Sequence, residues 1–452
     1  MVHTFEALGV KLAVDVNSGA VHVLDDLTYR LLPLVEPPMA EHCPPELLAR
    51  LPEYRTEAVE EGWQDLRELA GNGLPFVEDD YVDPAAATAL QQSAPIKALC
   101  LHVSHDCNLR CQYCFASTGD FGTGRKIMDI ETAKRAIDFV IQRSGSRRNI
   151  EVDFFGGEPL MAMDTVKATV AYARSIEKKA GKCFRFTITT NGVLLDDENI
   201  DYINREMSNA VLSLDGRPQV NDRMRKTVNG KGSYEVIVPK FQKLVAGRGT
   251  KDYYLRGTFT HYNLDFAEDV MHMADLGFRN VSVEPVVGEE TCGYALKDED
   301  LPVVLEQYEK LAEKLKDRAD VNFFHFNVDL AQGPCVIKRL RGCGAGCEYV
   351  AVTPEGDIYP CHQFVGNPAY KIGSLSDGSF DMELSHRFSC LNIYTREECR
   401  DCWARFYCSG GCSASNLLVN GDIKKPNHVG CEMERKRLEC AIALKALAAG
   451  MG

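Results

Sequence analysis

From residue 97 to about 290 the chain alternates between two periods, and this constrains its fold more than any other feature. Runs rich in β-branched and aromatic residues, "KALCLHV", "IEVDFFG", "FRFTITT", "AVLSLD", "YYLRGTFT" and "NVSVEPV", are separated by stretches with helical spacing such as "IETAKRAIDFVIQRS" and "MDTVKATVAYARSIEKKA". Strand, crossover helix and next strand pack as parallel neighbours, so six such repeats specify an α/β fold with an open or partial (β/α)6 barrel. Functional residues of such a barrel collect at the C-terminal ends of its strands.

The flanks read differently. With 452 residues the chain is too long for one ordinary core, and several domains are expected. Residues 1–80 open with "KLAVDVNSGAVHVL", alternating on both sides of Asn17-Ser18-Gly19, which predicts a hairpin. Three short helical stretches follow, "DDLTYRLLPLV", "PPELLARL" and "TEAVEEGWQDLRELAGNG", and the whole resembles a small winged helix. Residues 81–96, rich in Ala, Gln and Pro, read as a linker, and the barrel is expected over 97–300. A connecting segment at 301–334 begins with the amphipathic "LPVVLEQYEKLAEKLKD". Residues 335–452 are dense in Cys and Gly until a closing helix, "EMERKRLECAIALKAL", and are expected to be held by metal more than by a large core.

A formal net charge of −14 argues against broad nucleic-acid binding, which needs basic surface. The opening "MVHTFEALGV" lacks the basic-then-apolar pattern of a secretory signal, and no run of about 18 apolar residues offers a membrane span, so a cytoplasmic location is expected. In a reducing compartment 18 cysteines signal metal or redox chemistry rather than disulfides. Cys43, Cys183 and Cys440 stand apart and read as small buried apolar residues.

Directly after the first strand, "HDCNLRCQYCFA" spaces Cys107, Cys111 and Cys114 as C-x3-C-x2-C. A zinc site usually takes four ligands. Three thiolates suit one cubane iron–sulfur cluster whose fourth iron is left open for a small molecule. The spacing, with Tyr113 before the last cysteine, resembles the radical S-adenosylmethionine (SAM) superfamily. Companion motifs strengthen it: "FFGGEPL" with Gly156, Gly157 and Glu158 ends the second strand, "TTNGVLL" with Asn191 the third, and "SLDG" with Ser213 and Asp215 the fourth. The resemblance implies that the three cysteines hold the cluster on which SAM is split. It further implies that Tyr113 lies beside the adenine, that the glycines and Glu158 receive the methionine moiety, and that Asn191, Ser213 and Arg225 are cofactor contacts.

Farther on, "CRDCWARFYCSGGC" places Cys399, Cys402, Cys408 and Cys412, followed by Cys431, and "CGAGCEYVAVTPEGDIYPC" places Cys343, Gly356 and Cys361 as C-x12-G-x4-C. This resembles the SPASM extension of radical SAM enzymes, which binds two auxiliary [4Fe–4S] clusters. By that resemblance Cys399, Cys402, Cys408 and Cys431 hold the outer cluster, and Cys343, Cys361 and Cys412 the inner one. Its fourth ligand is Cys347, Cys335 or a substrate thiol.

An acidic chain disfavours reading residues 1–80 as a DNA reader; an exposed hairpin edge can instead accept a peptide strand, and scaffolding is the other alternative. Chain length, domain order and "GCGAGCEYVAVTPEGDIYPCHQFVG" together resemble the SCIFF (six-cysteines-in-forty-five) peptide maturases. The resemblance implies thioether links, Cys sulfur to α-carbon, in a Cys-rich precursor peptide whose leader binds the N-terminal domain. It also implies SAM, three [4Fe–4S] clusters and a reductant such as flavodoxin or ferredoxin. Asp215, Glu284 and His362 read as structural or supporting groups more than as bases. Rival readings are a sulfatase-maturase-like enzyme that oxidises a protein Cys or Ser, and a zinc-bound regulator without catalysis.

Overall fold

The computed structural model describes residues 1–73, 76–79, 95–289, 291–330 and 340–450. The N-terminal unit is a three-stranded antiparallel sheet, β1 (Val2–Ala7), β2 (Val10–Asp15) and β3 (Val21–Leu24), in sequence order. The predicted hairpin is β2–β3; β1 was not foreseen, because "VHTFEA" does not alternate cleanly. Helices Asp26–Leu31, Pro45–Leu48 and Thr56–Gly71 follow, the first capped by Asp25, which accepts from Thr28 N at 2.7 Å. The helices cover one face of the sheet around Leu31, Val59 and Trp63. The predicted 81–96 linker lies almost wholly outside the described residues.

The six predicted parallel strands are all present: β4 (Ala98–His105), β7 (Asn149–Gly156), β8 (Cys183–Thr190), β9 (Asn209–Ser213), β11 (Asp252–Phe259) and β12 (Asn280–Pro285). They lie in the order 4-7-8-9-11-12, each parallel to its neighbour. Two short ribbons serve the loop after β4. One pairs β5 (Leu109–Cys111) with β10 (Arg225–Thr227), and the other sets β6 (Lys126–Ile127) against β4. Amphipathic crossover helices such as Ile130–Arg143 and Met163–Ala180 bury Ile137, Val140, Val166 and Val170 against the sheet.

The sheet does not stop at the barrel. The helical part of the connecting segment ends at Leu315, and β13 (Asn322–Phe323) adds a parallel edge to β12. At the opposite edge β14 (Tyr349–Val352) runs parallel to β4 and continues through β15 (Asp357–Tyr359) and β16 (Gly373–Ser374). The Cys-rich region is therefore fused to the barrel through backbone hydrogen bonds. Beyond β16 the elements are short, until the final helix His428–Ala448. Among the described residues no helix is long and apolar enough to cross a membrane.

Candidate functional site

β4 delivers the chain to the C-terminal mouth of the barrel, where Cys107, Cys111 and Cys114 follow. The loop is held by backbone on two sides. The β5–β10 ribbon sets Cys111 opposite Arg225. On the other side Gly157 N donates to Ser104 O at 2.7 Å and Glu158 N to Asp106 O at 2.8 Å. A Cβ on Gly156 would stand 2.1 Å from Ser104 O, and one on Gly157 2.2 Å from Asp106 O. Gly156 also has φ +127°, a conformation that L side chains rarely adopt. The two glycines thus let strand β7 press against the cysteine loop.

The thiols are costly to ionise by themselves. Burial pushes Cys107 up to about 12, helped by the charge of Glu158, and Cys111 up to about 11; Cys114 is raised by burial as well. Protons are lost from such a set when metal replaces them. Asn191 Nδ2 points at Cys107 Sγ at 3.6 Å and donates to Asn108 Oδ1 at 2.8 Å. Glu158 is fully buried and accepts from Leu160 N at 3.0 Å, Thr190 Oγ1 at 2.7 Å and Asn191 N at 2.8 Å. It therefore locks the ends of β7 and β8 together.

Tyr113 meets Asp215 and Arg225, each over a hundred residues along the chain. The Tyr113 hydroxyl donates to Asp215 Oδ2 at 2.7 Å and accepts from Arg225 Nη1 at 2.9 Å. Burial pushes Asp215 up to about 6, against the opposing pull of Arg225 and Tyr113. Arg225 Nε is buried without a partner, which suits an anionic ligand. Ser213 ends β9, half-buried, opposite Arg256 of β11.

Eight further cysteines lie in the Cys-rich region, four around one cavity and four about Cys343. Cys399, Cys402, Cys408 and Cys431 line one cavity of about 250 Å³, together with Glu434 and Arg435. Cys361 is buried, and its thiol is raised by burial and then by the nearby charges of Cys412 and Cys343, which brings those three together. Cys347 turns its thiol onto Gly344 O at 3.3 Å and lines a cavity of about 550 Å³ with Phe380 and His386, yet burial pushes its thiol up to about 11 with Cys343 near enough to add to the rise. Cys335 lies outside the described residues. Among the described residues no three His, Cys, Asp or Glu side chains are set as ligands of a single ion. A cubane holds its thiolates at separate corners, a different arrangement from one tetrahedral zinc.

Between the first cysteine loop and the inner group lies a cleft of about 530 Å³. Tyr113 and Phe115 line it from the loop, Gln363 and Phe364 from just beyond Cys361, and Cys292 and Tyr294 from the segment after β12. Tyr294 is pushed up to about 12 by burial and then by Cys292, and Cys114 is near enough to contribute. The sequence reading missed Cys292 and Tyr294. Their signal was position, since loops after barrel strands build the site. His362 is pressed on Phe155, with ring centroids 4.9 Å apart, and burial lowers it to about 3, which fits a supporting role. Glu284 pairs with Arg256 and lies 3.8 Å from His325.

Residues 101–246 match the family model of the radical SAM superfamily, and residues 343–403 that of the SPASM iron–sulfur cluster-binding domain. The chain carries a radical SAM domain and a SPASM domain. It is 24% identical over 345 residues to the cysteine-type anaerobic sulfatase-maturating enzyme of Clostridium perfringens, covering 70% of this chain and 89% of that protein. It is 26% identical over 350 residues to the mycofactocin maturase MftC of Mycolicibacterium smegmatis, covering 74% and 82%. Its fold is similar to that of Streptococcus suis SuiB bound to precursor peptide SuiA, with a TM-score of 0.55, 17% identity, and 95% of this chain and 98% of that one covered.

Radical SAM and SPASM domains hold SAM and iron–sulfur clusters, and the donor set fits them. Three thiols sit at the barrel mouth beside a buried guanidinium with an unmet N–H, and four thiols share one cavity in the SPASM domain.

Proposed function

We propose that this radical SAM/SPASM protein is a peptide maturase that installs thioether links, Cys sulfur to α-carbon, in a ribosomally made Cys-rich precursor. The observation that carries this reading is the shared cleft. One wall belongs to the loop of Cys107, Cys111 and Cys114 and the other to the surroundings of Cys361 and Cys412, so one bound peptide touches both. The SuiB likeness leaves out only 5% of this chain, about 23 of 452 residues, so it extends into the N-terminal unit. That structure holds a precursor peptide.

In this reading residues 1–80 recognise the leader, 97–300 form the radical SAM barrel and 335–452 the SPASM domain. In the N-terminal sheet β1 lies against the final helix, where His3 meets Glu439 at 3.0 Å, while β3 is the end strand and offers its edge. An extended leader can add a strand there. Cys107, Cys111 and Cys114 hold the first of three [4Fe–4S] clusters, and the SPASM groups hold the other two. With SAM bound, the first cluster supplies a 5′-deoxyadenosyl radical able to remove a hydrogen atom. Arg225, with its unmet Nε–H, would pair with the carboxylate of bound SAM, and Tyr113, fixed by Asp215, would wall the adenine side. Glu158 and Asn191 keep the β7–β8 end rigid behind Gly156 and Gly157, and Ser213 faces the ribose side. The exposed Cys343 and Cys412, with Cys361, place the inner group within reach of a substrate thiol. Electrons come from a flavodoxin or ferredoxin.

The test is to incubate anaerobically reconstituted enzyme with SAM, a reductant and the Cys-rich peptide encoded beside its gene, and then weigh the peptide. Loss of two hydrogens per link, with one thiol per link no longer alkylatable, is expected. An unchanged peptide beside abundant 5′-deoxyadenosine sinks the substrate assignment. Conversion of a Cys or Ser to formylglycine instead assigns the chain to the sulfatase-maturase type.

A further inference from the structure

The stretch between Cys402 and Cys408, "WARFY", joins the final helix and Tyr394 in seating the N-terminal unit on the SPASM domain. Trp403 stacks on His3, with ring centroids 4.1 Å apart and planes 5° from parallel. Arg405 is buried, and its Nη2 donates to Asn17 Oδ1 at 2.6 Å and to Asp79 Oδ2 at 2.9 Å. Asn17 sits at the β2–β3 turn, which Asp15 and Asn17 tie to the returning chain: Val77 N donates to Asp15 Oδ2 at 3.2 Å, and Asn17 Nδ2 to Val77 O at 2.7 Å. One guanidinium thus grips the hairpin turn and the exit of the unit together. Around it Phe5, Leu12, Val14 and Val16 share an apolar cluster with Trp403, Phe406 and Ile442.

These contacts depend on a loop with little regular structure of its own. Its helix, Arg405–Cys408, is four residues long, and cysteines of the outer group bracket it. Ligands clipped to one metal group shape the backbone between them. We propose that the outer cysteine group, once loaded, is the mount on which the N-terminal unit docks, and that Arg405 is the positioning residue that fixes the unit's bearing toward the cleft. Loading the outer cluster then serves substrate register as well as electron transfer. That last consequence rests on the leader-recognition reading of residues 1–80; the docking itself does not.

The experiment is hydrogen exchange on the full-length, iron-loaded enzyme, comparing wild type with Arg405→Gln, Arg405→Lys and Cys402→Ser. In Arg405→Gln the iron content and SAM cleavage stay at the wild-type level. The β1 and β2 amides exchange at least about tenfold faster, the factor that one of the two lost charge-assisted hydrogen bonds would carry by itself, while β7 and β8 amides are unmoved. Arg405→Lys recovers part of the protection, since it keeps the charge without the fork. Cys402→Ser loses outer iron and frees the same amides. For a leader-bearing precursor KM rises about tenfold in Arg405→Gln with kcat unchanged, and a leaderless core peptide shows no difference. Unchanged β1–β2 protection in both Arg405→Gln and Cys402→Ser overturns the mount, and loss of iron or of barrel protection in Arg405→Gln overturns the positioning role. If exchange behaves as expected and no peptide is processed, the docking stands and the maturase reading falls.

Discussion

Cys107, Cys111 and Cys114 sit on a loop whose walls are strands: β4 behind it, the β5–β10 ribbon along it, and β7 pressed close through two glycines. Cys399 and Cys408 sit on helices of four residues, Glu397–Arg400 and Arg405–Cys408, and Cys402 on the turn between them. The first set is placed by a scaffold with a large apolar core of its own. The second rests on short elements and a smaller apolar cluster, and is expected to owe more of its order to the metal it binds. Similar thiols are therefore expected to differ in what they owe the fold: in the barrel the scaffold positions the ligands, whereas in the SPASM domain bound metal should do more of the positioning.

Stripping the iron is the strongest way to break this contrast. Chelation under reducing conditions should leave the amides of β4, β7 and β8 protected. Residues 397–431, and with them β1 and β2, should exchange orders of magnitude faster, read segment by segment by mass spectrometry. Equal loss of protection in both regions would show that the SPASM domain is no more metal-dependent than the barrel.

Next in size is a change that attacks the scaffold instead of the metal. Gly156→Ala places a Cβ 2.1 Å from Ser104 O at φ +127°. Overpacking and backbone strain together cost about 4 kcal/mol at that point. The variant should lose the iron bound at Cys107, Cys111 and Cys114 while keeping the SPASM iron, so total iron and the electron-paramagnetic signal of the first cluster fall together. Uniform iron loss would mean that the two regions are less separable than their construction indicates.

How far this contrast was legible in the sequence follows from the same physics. The six parallel strands were readable because runs rich in β-branched and aromatic residues alternate with segments of helical period, as β8, with every second residue buried, and Met163–Ala180 do. The cysteine sets were readable because ligand spacing is local. What was not readable is long-range. Nothing in "SLDG" announces that Asp215 will receive the hydroxyl of Tyr113, and nothing in "YVAV" that β14 will extend the barrel sheet beside β4. Cys292 carried a signal only through the strand it follows. The glycines of "FFGGEPL" show their conformational need in the sequence, but not that the cysteine loop is what they let come close.

Asp215 gives a smaller, pH-dependent test of the barrel side. Its folded pKa is raised from 3.8 to about 6, chiefly by burial. Between those values the folded state holds the proton more tightly than the unfolded chain, so this residue's contribution to stability is greatest below pH 4. It is lost as pH rises toward 6 and constant above that, with a total of up to about 3 kcal/mol. Asp215→Asn cannot titrate. Exchange protection of β9 and β11, compared between pH 5 and pH 7, should fall with pH in the wild type and stay level in the variant. A variant with the wild-type slope would assign the titration to another group.

The smallest effect separates positioning by the fold from tuning by it. Asn191 Nδ2 lies 3.6 Å from Cys107 Sγ, a long N–H···S contact, and its firmer bond is to Asn108 Oδ1 at 2.8 Å. Hydrogen bonds to cluster sulfurs favour the reduced, more negative state and raise its potential. In Asn191→Ala that donor is gone while β7, β8 and the β5–β10 ribbon still hold the loop. The first cluster should keep its iron and show a midpoint potential lower by on the order of 30 mV, about half the step that accompanies a tenfold change for one electron. Redox titration followed by electron paramagnetic resonance reads this directly, and the SPASM clusters serve as the internal control. If the iron leaves with Asn191, the loop is not held by its strands alone, and the barrel site depends on its ligand shell as the SPASM groups do.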